Sequence, residues 1–298
     1  MSGPHFPLLE LAVEPRTAQA QARLDAALPA LKAADPLFDF ATDSESGQTL
    51  LRGASEAQLA SRLAQLKDRH GIALASGALQ VVYRETLSGP ATVTYAYKKA
   101  EGQSGQFAVV TVRFEPLPEG SGFEFADATA GHPIPPDFVP AVRRGIESQM
   151  PNGPLAGFPL VDVKATLLDG RYHEIDSNEL TFEIAARGAV RRLADEGVAV
   201  LLEPVMRLEI SAPADRLGDV VEDLTARRAT ILQTEEDGPD MRLVAEAPLA
   251  GLFGYGAALA VLSQGQARCV MTFSHYARVP RRDDPDPRFP GAAAMRVA

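Results

Sequence analysis

One cysteine, Cys269, stands among 298 residues. It excludes an internal disulfide and fits a reducing, cytoplasmic setting. Its apolar, strand-like neighbours mark it as a buried small hydrophobe. No apolar run approaches the roughly 18 residues of a membrane span, so no membrane partner is expected. The start, MSGPHFPLLELAVEP, has neither the basic n-region nor the long apolar core of a secretory signal. The pattern G-x-x-x-x-G-K-[ST] is missing, so no phosphate-cradling nucleotide loop can be assigned. Cys-x-x-Cys and His-Glu-x-x-His spacings are missing too, which removes the usual metal sites. There is no Gly-x-Ser-x-Gly elbow and no Ser-His-Asp order. The glycines at 251, 254 and 256 have the wrong spacing for a dinucleotide fingerprint and read as close helix packing. Positive charge is also short. Twenty-nine Lys and Arg face 39 Asp and Glu, a net charge of −10, which argues against broad nonspecific nucleic-acid binding. Local basic patches survive that argument: Lys98-Lys99, Arg143-Arg144, Arg191-Arg192, Arg227-Arg228 and Arg281-Arg282 are paired cations.

An apolar share of 46% supports substantial cores, and the length fits two or three domains. The fold class expected is α+β, with two ferredoxin-like βαββαβ domains flanking a different α+β sandwich. The first module covers residues 7–78. It reads as a strand at Leu8 to Val13, a helix over Arg16 to Ala34, a strand pair around a turn at Ser44 to Gly47, a helix capped by Ser55 and stopped by Gly71, and a strand at Ile72 to Ala75. The last module, residues 203–280, repeats that order, with a hairpin around Asp237-Gly238-Pro239. The middle module, residues 79–202, opens with alternating strand patterns at Val81 to Tyr83, Thr92 to Tyr97 and Phe107 to Phe114. A helix over Pro135 to Met150 carries Phe138, Val142, Ile146 and Met150 inward. A second helix carries Phe182, Ala186, Ala189 and Leu193 on one stripe. Residues 281–298, rich in Asp, Pro, Arg and Ala, lack a periodic core and are expected to be extended or disordered.

Two polar loops hold the candidate chemistry. The segment Gly170 to Glu179, GRYHEIDSNE, follows a strand-like run over Leu160 to Leu168 and precedes an apolar helix. His173 with Glu174 and Asp176 is compatible with acid–base or metal chemistry, but the companion ligands are missing. Asp176 or Ser177 could equally cap the helix that follows. A third reading is a contact loop, in which His173 donates to phosphate or stacks on a base. The second loop, AEGQSG from Ala100 to Gly105, is flanked by Lys98, Lys99 and Gln106. Its glycines and serine leave backbone N–H groups to approach phosphate. A strand sandwich would bring both loops to one end.

Several stretches resemble elongation factor G in order and spacing. LAVEPR (Leu11 to Arg16) and SGQTLLRG (Ser46 to Gly53) are similar to its third domain. VVYRET (Val81 to Thr86), FEPLPEGSGFEF (Phe114 to Phe125), IPPDFVPA (Ile134 to Ala141) and GPLAGFPLVDV (Gly153 to Val163) resemble its fourth. LLEPVM (Leu201 to Met206), GDVVEDL (Gly218 to Leu224), Arg227-Arg228 and PLAGLFGY (Pro248 to Tyr255) resemble the boundary and its fifth domain. The resemblance covers about 270 residues. It implies two ferredoxin-like domains around a ribosomal-protein-S5-like domain, agreeing with the reading from residues alone. There are departures: SEAQL at Ser55 to Leu59 lacks the histidine usual there, and GQSGQ is shorter than the usual first tip loop. Gln266 stands where an arginine is common. These departures point to a divergent paralogue.

What the resemblance implies is ribosome binding by a translocation factor, as a monomer. The fourth-domain tip, here Lys98, Lys99, Gln103, Ser104, Gly105, Gln106, His173, Glu174 and Asp176, would meet tRNA–mRNA at the decoding region. Arg227 and Arg228 would face ribosomal RNA of the large subunit. No cofactor is expected in this chain. GTP and Mg are expected in a GTPase domain missing from this chain and acting in cis, so this chain is not expected to be an enzyme. The alternatives are a ribosome recycling or protection paralogue, a standalone regulatory or ligand-binding protein, and a hydrolase centred on His173 and Asp176.

Overall fold

The computed structural model describes residues 7–42, 47–101, 104–131 and 133–280, with backbone only for Ala100, Glu101 and Ser104. The predicted turn at 44–46, Gln103, Arg281-Arg282 and the tail at 281–298 lie outside the described residues. The chain forms two compact units, one built from residues up to Val82 together with Glu203–Ala277, the other centred on Tyr83–Leu202.

The first unit begins with β1 (Leu9–Pro15), α1 (Ala18–Ala34), β2 (Asp39–Thr42), β3 (Thr49–Gly53), α2 (Glu56–His70) and β4 (Leu74–Val81). The strand order is β2-β3-β1-β4, with β1 antiparallel to both neighbours. Leu24, Leu28 and Leu31 of α1 and Leu59 and Leu66 of α2 are buried. Ser55 caps α2 by accepting the Gln58 N–H, and Gly71 ends it with φ of 61°. That left-handed value suits glycine, which has no Cβ to clash. β4 starts later than expected and runs on to Val81, so the strand read at Val81 to Tyr83 is the end of β4.

The second unit holds β5 (Arg84–Leu87), β6 (Ala91–Glu101), β7 (Ser104–Pro116), β8 (Phe123–Asp127), α3 (Val139–Gln149), β9 (Val163–Arg171) and α4 (Glu179–Arg192). Its four-stranded sheet has the order β6-β7-β9-β8, with β8 parallel to β9 and the other neighbours antiparallel. The helices α3 and α4 cover this sheet. Val142, Ile146, Phe182, Ala186, Ala189 and Leu193 meet Val110, Val112, Phe114, Val163, Ala165 and Leu167 in one buried core. Gly145 permits the helices to touch, because a Cβ there would lie 2.5 Å from the Glu183 carbonyl oxygen. Glu85 is fully buried and its carboxylate accepts the N–H groups of Leu155, Ala156 and Phe158 at 2.8, 2.7 and 3.1 Å. The Glu85 carboxyl thus organises the 153–158 loop by satisfying amides that would otherwise lack these partners.

The chain returns through β10 (Ala199–Pro213), whose first residues pair with β5 and whose later residues pair with β12. The first unit is completed by α5 (Leu217–Ala226), β11 (Thr230–Asp237), β12 (Asp240–Pro248), α6 (Tyr255–Leu262) and β13 (Arg268–Arg278). The order β11-β12-β10-β13 repeats that of the first sheet, so the fold class is α+β with two ferredoxin-like sheets. Cys269 lies partly buried in β13, and burial pushes its thiol up to about 11. That makes it a poor nucleophile near neutral pH. Of the three glycines read as close packing, only Gly251 is one: a Cβ there would come 2.9 Å from the Arg227 carbonyl oxygen, whereas Gly254 and Gly256 have nothing within 4 Å. Gly254 instead starts α6 with φ of 66°. No helix among the described residues is long and apolar enough to cross a membrane.

Candidate functional site

Strand pairing builds the site. β6 and β7 pair continuously from Ala91↔Phe114 to Glu101↔Ser104, and β9 pairs with β7 as far as Arg171↔Val109. Three consecutive strands therefore deliver the β6–β7 hairpin and the β9–α4 connection to the same end of the sheet. Both loops are shorter than the sequence indicates. Gly170 and Arg171 belong to β9, and Ser104 and Gly105 belong to β7.

Asp176 ties the two loops together. Its carboxylate accepts the Gly105 N–H at 3.2 Å, and its carbonyl accepts the Phe107 N–H at 3.0 Å. The Ser177 hydroxyl accepts the His173 N–H at 2.8 Å and donates to the Phe107 carbonyl at 2.6 Å. Neither Asp176 nor Ser177 caps α4. Asn178 does, in a reciprocal box with Thr181: each backbone N–H meets the other residue's side-chain oxygen at 3.0 Å. The Gly105 N–H, expected to be open to phosphate, is already used by Asp176.

His173 stands 56% exposed with Nδ1 3.1 Å from Asp176 Oδ2 and 3.3 Å from the Asp176 N–H. Asp176 thus faces Nδ1 with both its carboxylate and its backbone N–H, and no hydrogen bond to Nε2 is formed among the described residues. Glu174 is exposed beside it. Gln106 accepts the Tyr97 hydroxyl at 2.7 Å, and Lys98 Nζ lies 5.6 Å from the Phe107 ring centroid. Lys99 is exposed on β6. His173, Glu174, Asp176, Gly105, Gln106, Lys98 and Lys99 therefore share one end of the second unit. Sequence reasoning missed Tyr172 and Ile175, exposed by 43% and 87%. The signal was there: two large apolar side chains in an otherwise polar connection, with no helical or strand stripe to absorb them.

Arg227 and Arg228 are placed differently, in the first unit. Arg227 donates to Asp223 Oδ2 and to the Gly251 carbonyl, both at 2.7 Å, and its guanidinium lies 5.2 Å from the Tyr255 ring centroid. Arg228 adopts φ of 65° and pairs with the buried Glu203 at 2.7 Å. Both guanidinium groups have internal structural work that their adjacency in sequence does not reveal. Arg144, another paired cation, bridges Glu179 and Glu183 of α4, and those hydrogen bonds hold its guanidinium above the usual arginine range. Among the described residues, His173 and Asp176 have no third catalytic partner and no group of three or more metal-ligating side chains forms.

Three family models match in succession: elongation factor G domain III over residues 6–78, domain IV over residues 79–197 and the elongation factor G C-terminus over residues 200–285. The chain is 42% identical over 277 residues to an elongation factor G of Hyphomonas neptunium, covering 93% of this chain and 39% of that protein. It is 43% identical over 273 residues to an elongation factor G of Anaplasma marginale, covering 92% and 40%. A crystal structure of a protein from Thermus thermophilus is similar with a TM-score of 0.69 and 38% identity, covering 95% of this chain and 42% of that one. The chain spans about two fifths of the length of these curated relatives. With three successive domain matches and this identity along nearly all of its length, the chain belongs to the elongation factor G family and corresponds to domain III, domain IV and the C-terminal domain.

Proposed function

We propose that this chain is the ribosome-engaging part of a translation factor that promotes tRNA–mRNA translocation. The observation that carries the reading is the Asp176 tie, which fuses two loops into one apex at the end of a three-strand ladder. The tie holds Gly105, Phe107 and Asp176 together before any contact, so these residues lose little conformational entropy on binding. His173 offers an imidazole edge, Lys98 and Lys99 offer charge, and Tyr172 and Ile175 offer apolar surface for bases. The partners are ribosomal RNA and the tRNA–mRNA pair at the decoding region. A GTPase domain acting in cis, with its own GTP and Mg, would supply the nucleotide-dependent step. The arm would act mechanically, occupying space that tRNA leaves and hindering its return. The reading places the protein in the cytoplasm as a monomer. Arg227 and Arg228 contribute through the fold of the first unit.

Co-sedimentation with ribosomes tests this. Wild type is expected to pellet with ribosomes, and His173→Ala with Gln106→Ala to weaken that association about tenfold. Association that ignores both substitutions overturns the apex assignment.

A further inference from the structure

Beyond the apex, the flank of the second unit carries a groove between β6 and α4. It has a volume of about 450 Å³, within the ~300–1,000 Å³ range of ligand clefts. β6 is an edge strand of its sheet, so nothing in that sheet covers its outer side. Tyr95 and Tyr97, two residues apart, project to the same face of β6. Arg187 and Arg191, four apart on α4, share a helix face and form the opposite wall with Arg192. Gly188 has a specific reason to be glycine: a Cβ there would lie 2.3 Å from the Tyr95 ring.

The arginines are held in place. Arg187 donates from Nε to Ser148 Oγ at 2.9 Å and contacts Glu183 at 3.4 Å. Arg191 donates from Nε to Gln149 Oε1 at 3.1 Å, and its terminal nitrogens have no acceptor among the described residues. Arg192 is 57% exposed and only loosely paired with Asp195 at 3.4 Å. Within a chain of net charge −10, three guanidinium groups against one lining carboxylate make a local exception.

Aromatic rings on one wall and fork-shaped donors on the other match a nucleotide, with its flat base and its phosphate. Tyr97 is fixed at the groove by donating its hydroxyl to Gln106. We propose that this groove binds single-stranded or bulged RNA. A base lies against Tyr97, beside the Tyr95 ring that packs on Gly188, and the phosphates are held by Arg191 and Arg192. A protein strand added to the β6 edge would need no guanidinium wall, so the composition favours RNA. The inference deepens the RNA-engaging reading of the same unit but does not depend on the apex.

Fluorescence anisotropy of the full chain with a labelled ten-nucleotide pyrimidine RNA tests it. Arg191→Gln with Arg192→Gln is expected to weaken binding at least tenfold and to flatten the salt dependence by one to two phosphate contacts. Tyr97→Leu is expected to weaken it severalfold, with Tyr97→Phe close to wild type. Arg113→Gln, at an exposed β7 cation paired with Glu115 and outside both the groove and the apex, is expected to leave oligonucleotide binding unchanged. Should the double variant be misfolded by circular dichroism, the exposed Arg192→Gln alone is expected to give about a threefold loss. RNA binding that survives the charge removal, or that falls as far in Arg113→Gln, overturns the groove. A groove that fails while ribosome association stays apex-dependent leaves the proposed function standing, and the reverse result separates the two in the other direction.

Discussion

Asp176 and Gly105, 71 residues apart in sequence, meet across the end of the second unit, where the Gly105 N–H donates to the Asp176 carboxylate at 3.2 Å. A Cβ at position 105 would stand 2.9 Å from Asp176 Cγ, so the close approach requires glycine. Gly105→Ala is expected to push the carboxylate away, releasing both the amide and His173 Nδ1, at a cost of about 1–2 kcal/mol. In an Asp176→Ala background the same substitution should cost much less, because the clash is gone. A double-mutant cycle by urea unfolding measures this, with a coupling of roughly 0.5 kcal/mol or more expected. Additive costs would mean that the two loops are not joined through this pair.

Glycines in this chain divide by what surrounds them, and the division gives opposite signs. Gly145→Ala drives a methyl into the Glu183 backbone at 2.5 Å and into the Ala186 methyl at 2.8 Å. Backbone cannot yield as a flexible side chain would, so about 1–3 kcal/mol should be lost. Gly256 sits within α6 with nothing within 4 Å. Gly256→Ala should gain about 0.4–1 kcal/mol by reducing the freedom of the unfolded chain. Thermal unfolding of the two variants should therefore move in opposite directions.

Arg227 is expected to matter for folding. Arg227→Ala removes two hydrogen bonds and the contact with the Tyr255 ring from a side chain only 22% exposed. A loss of about 1–3 kcal/mol in denaturant unfolding is expected. Arg227→Lys should recover little, because a lysine cannot span Asp223 and the Gly251 carbonyl with one planar fork. Unfolding energies within about 0.3 kcal/mol of wild type would return Arg227 to the role of an open surface cation.

What the sequence revealed follows from periodicity. The stripe Phe182, Ala186, Ala189 and Leu193 is buried as its spacing demands, and Ser55 and Gly71 bound α2 as their chemistry predicts. The repeated βαββαβ order was legible for the same reason. Long-range pairing was not legible. That Gly105 would spend its N–H on Asp176, or that Arg228 would find Glu203, depends on side chains brought together only after the sheets form. The groove was hidden in the same way. Tyr95 and Tyr97 read as strand residues and Arg191-Arg192 as one of several paired cations, and only the packing of α4 over the edge strand β6 brings them together.

Glu85 offers a pH-dependent test with a definite sign. Burial raises its carboxyl above the ordinary glutamate value of 4.5, more than the amide donors of Leu155, Ala156 and Phe158 lower it. The folded chain therefore keeps this proton to higher pH than the unfolded chain does. The stability contributed by that preference is complete below pH 4.5 and is lost as pH rises through the folded-state value. Glu85→Gln has no proton to lose, so its stability relative to wild type should improve as pH rises from about 4 toward neutrality. Glu85→Ala should be worse at every pH, by on the order of 3 kcal/mol, because it leaves three buried N–H groups without an acceptor. Urea unfolding of the three proteins across this range decides the matter. If wild type instead gains on Glu85→Gln with rising pH, the amide cradle outweighs desolvation. Glu85 would then be an anchor held in its ionised form, and the 153–158 loop would loosen on acidification.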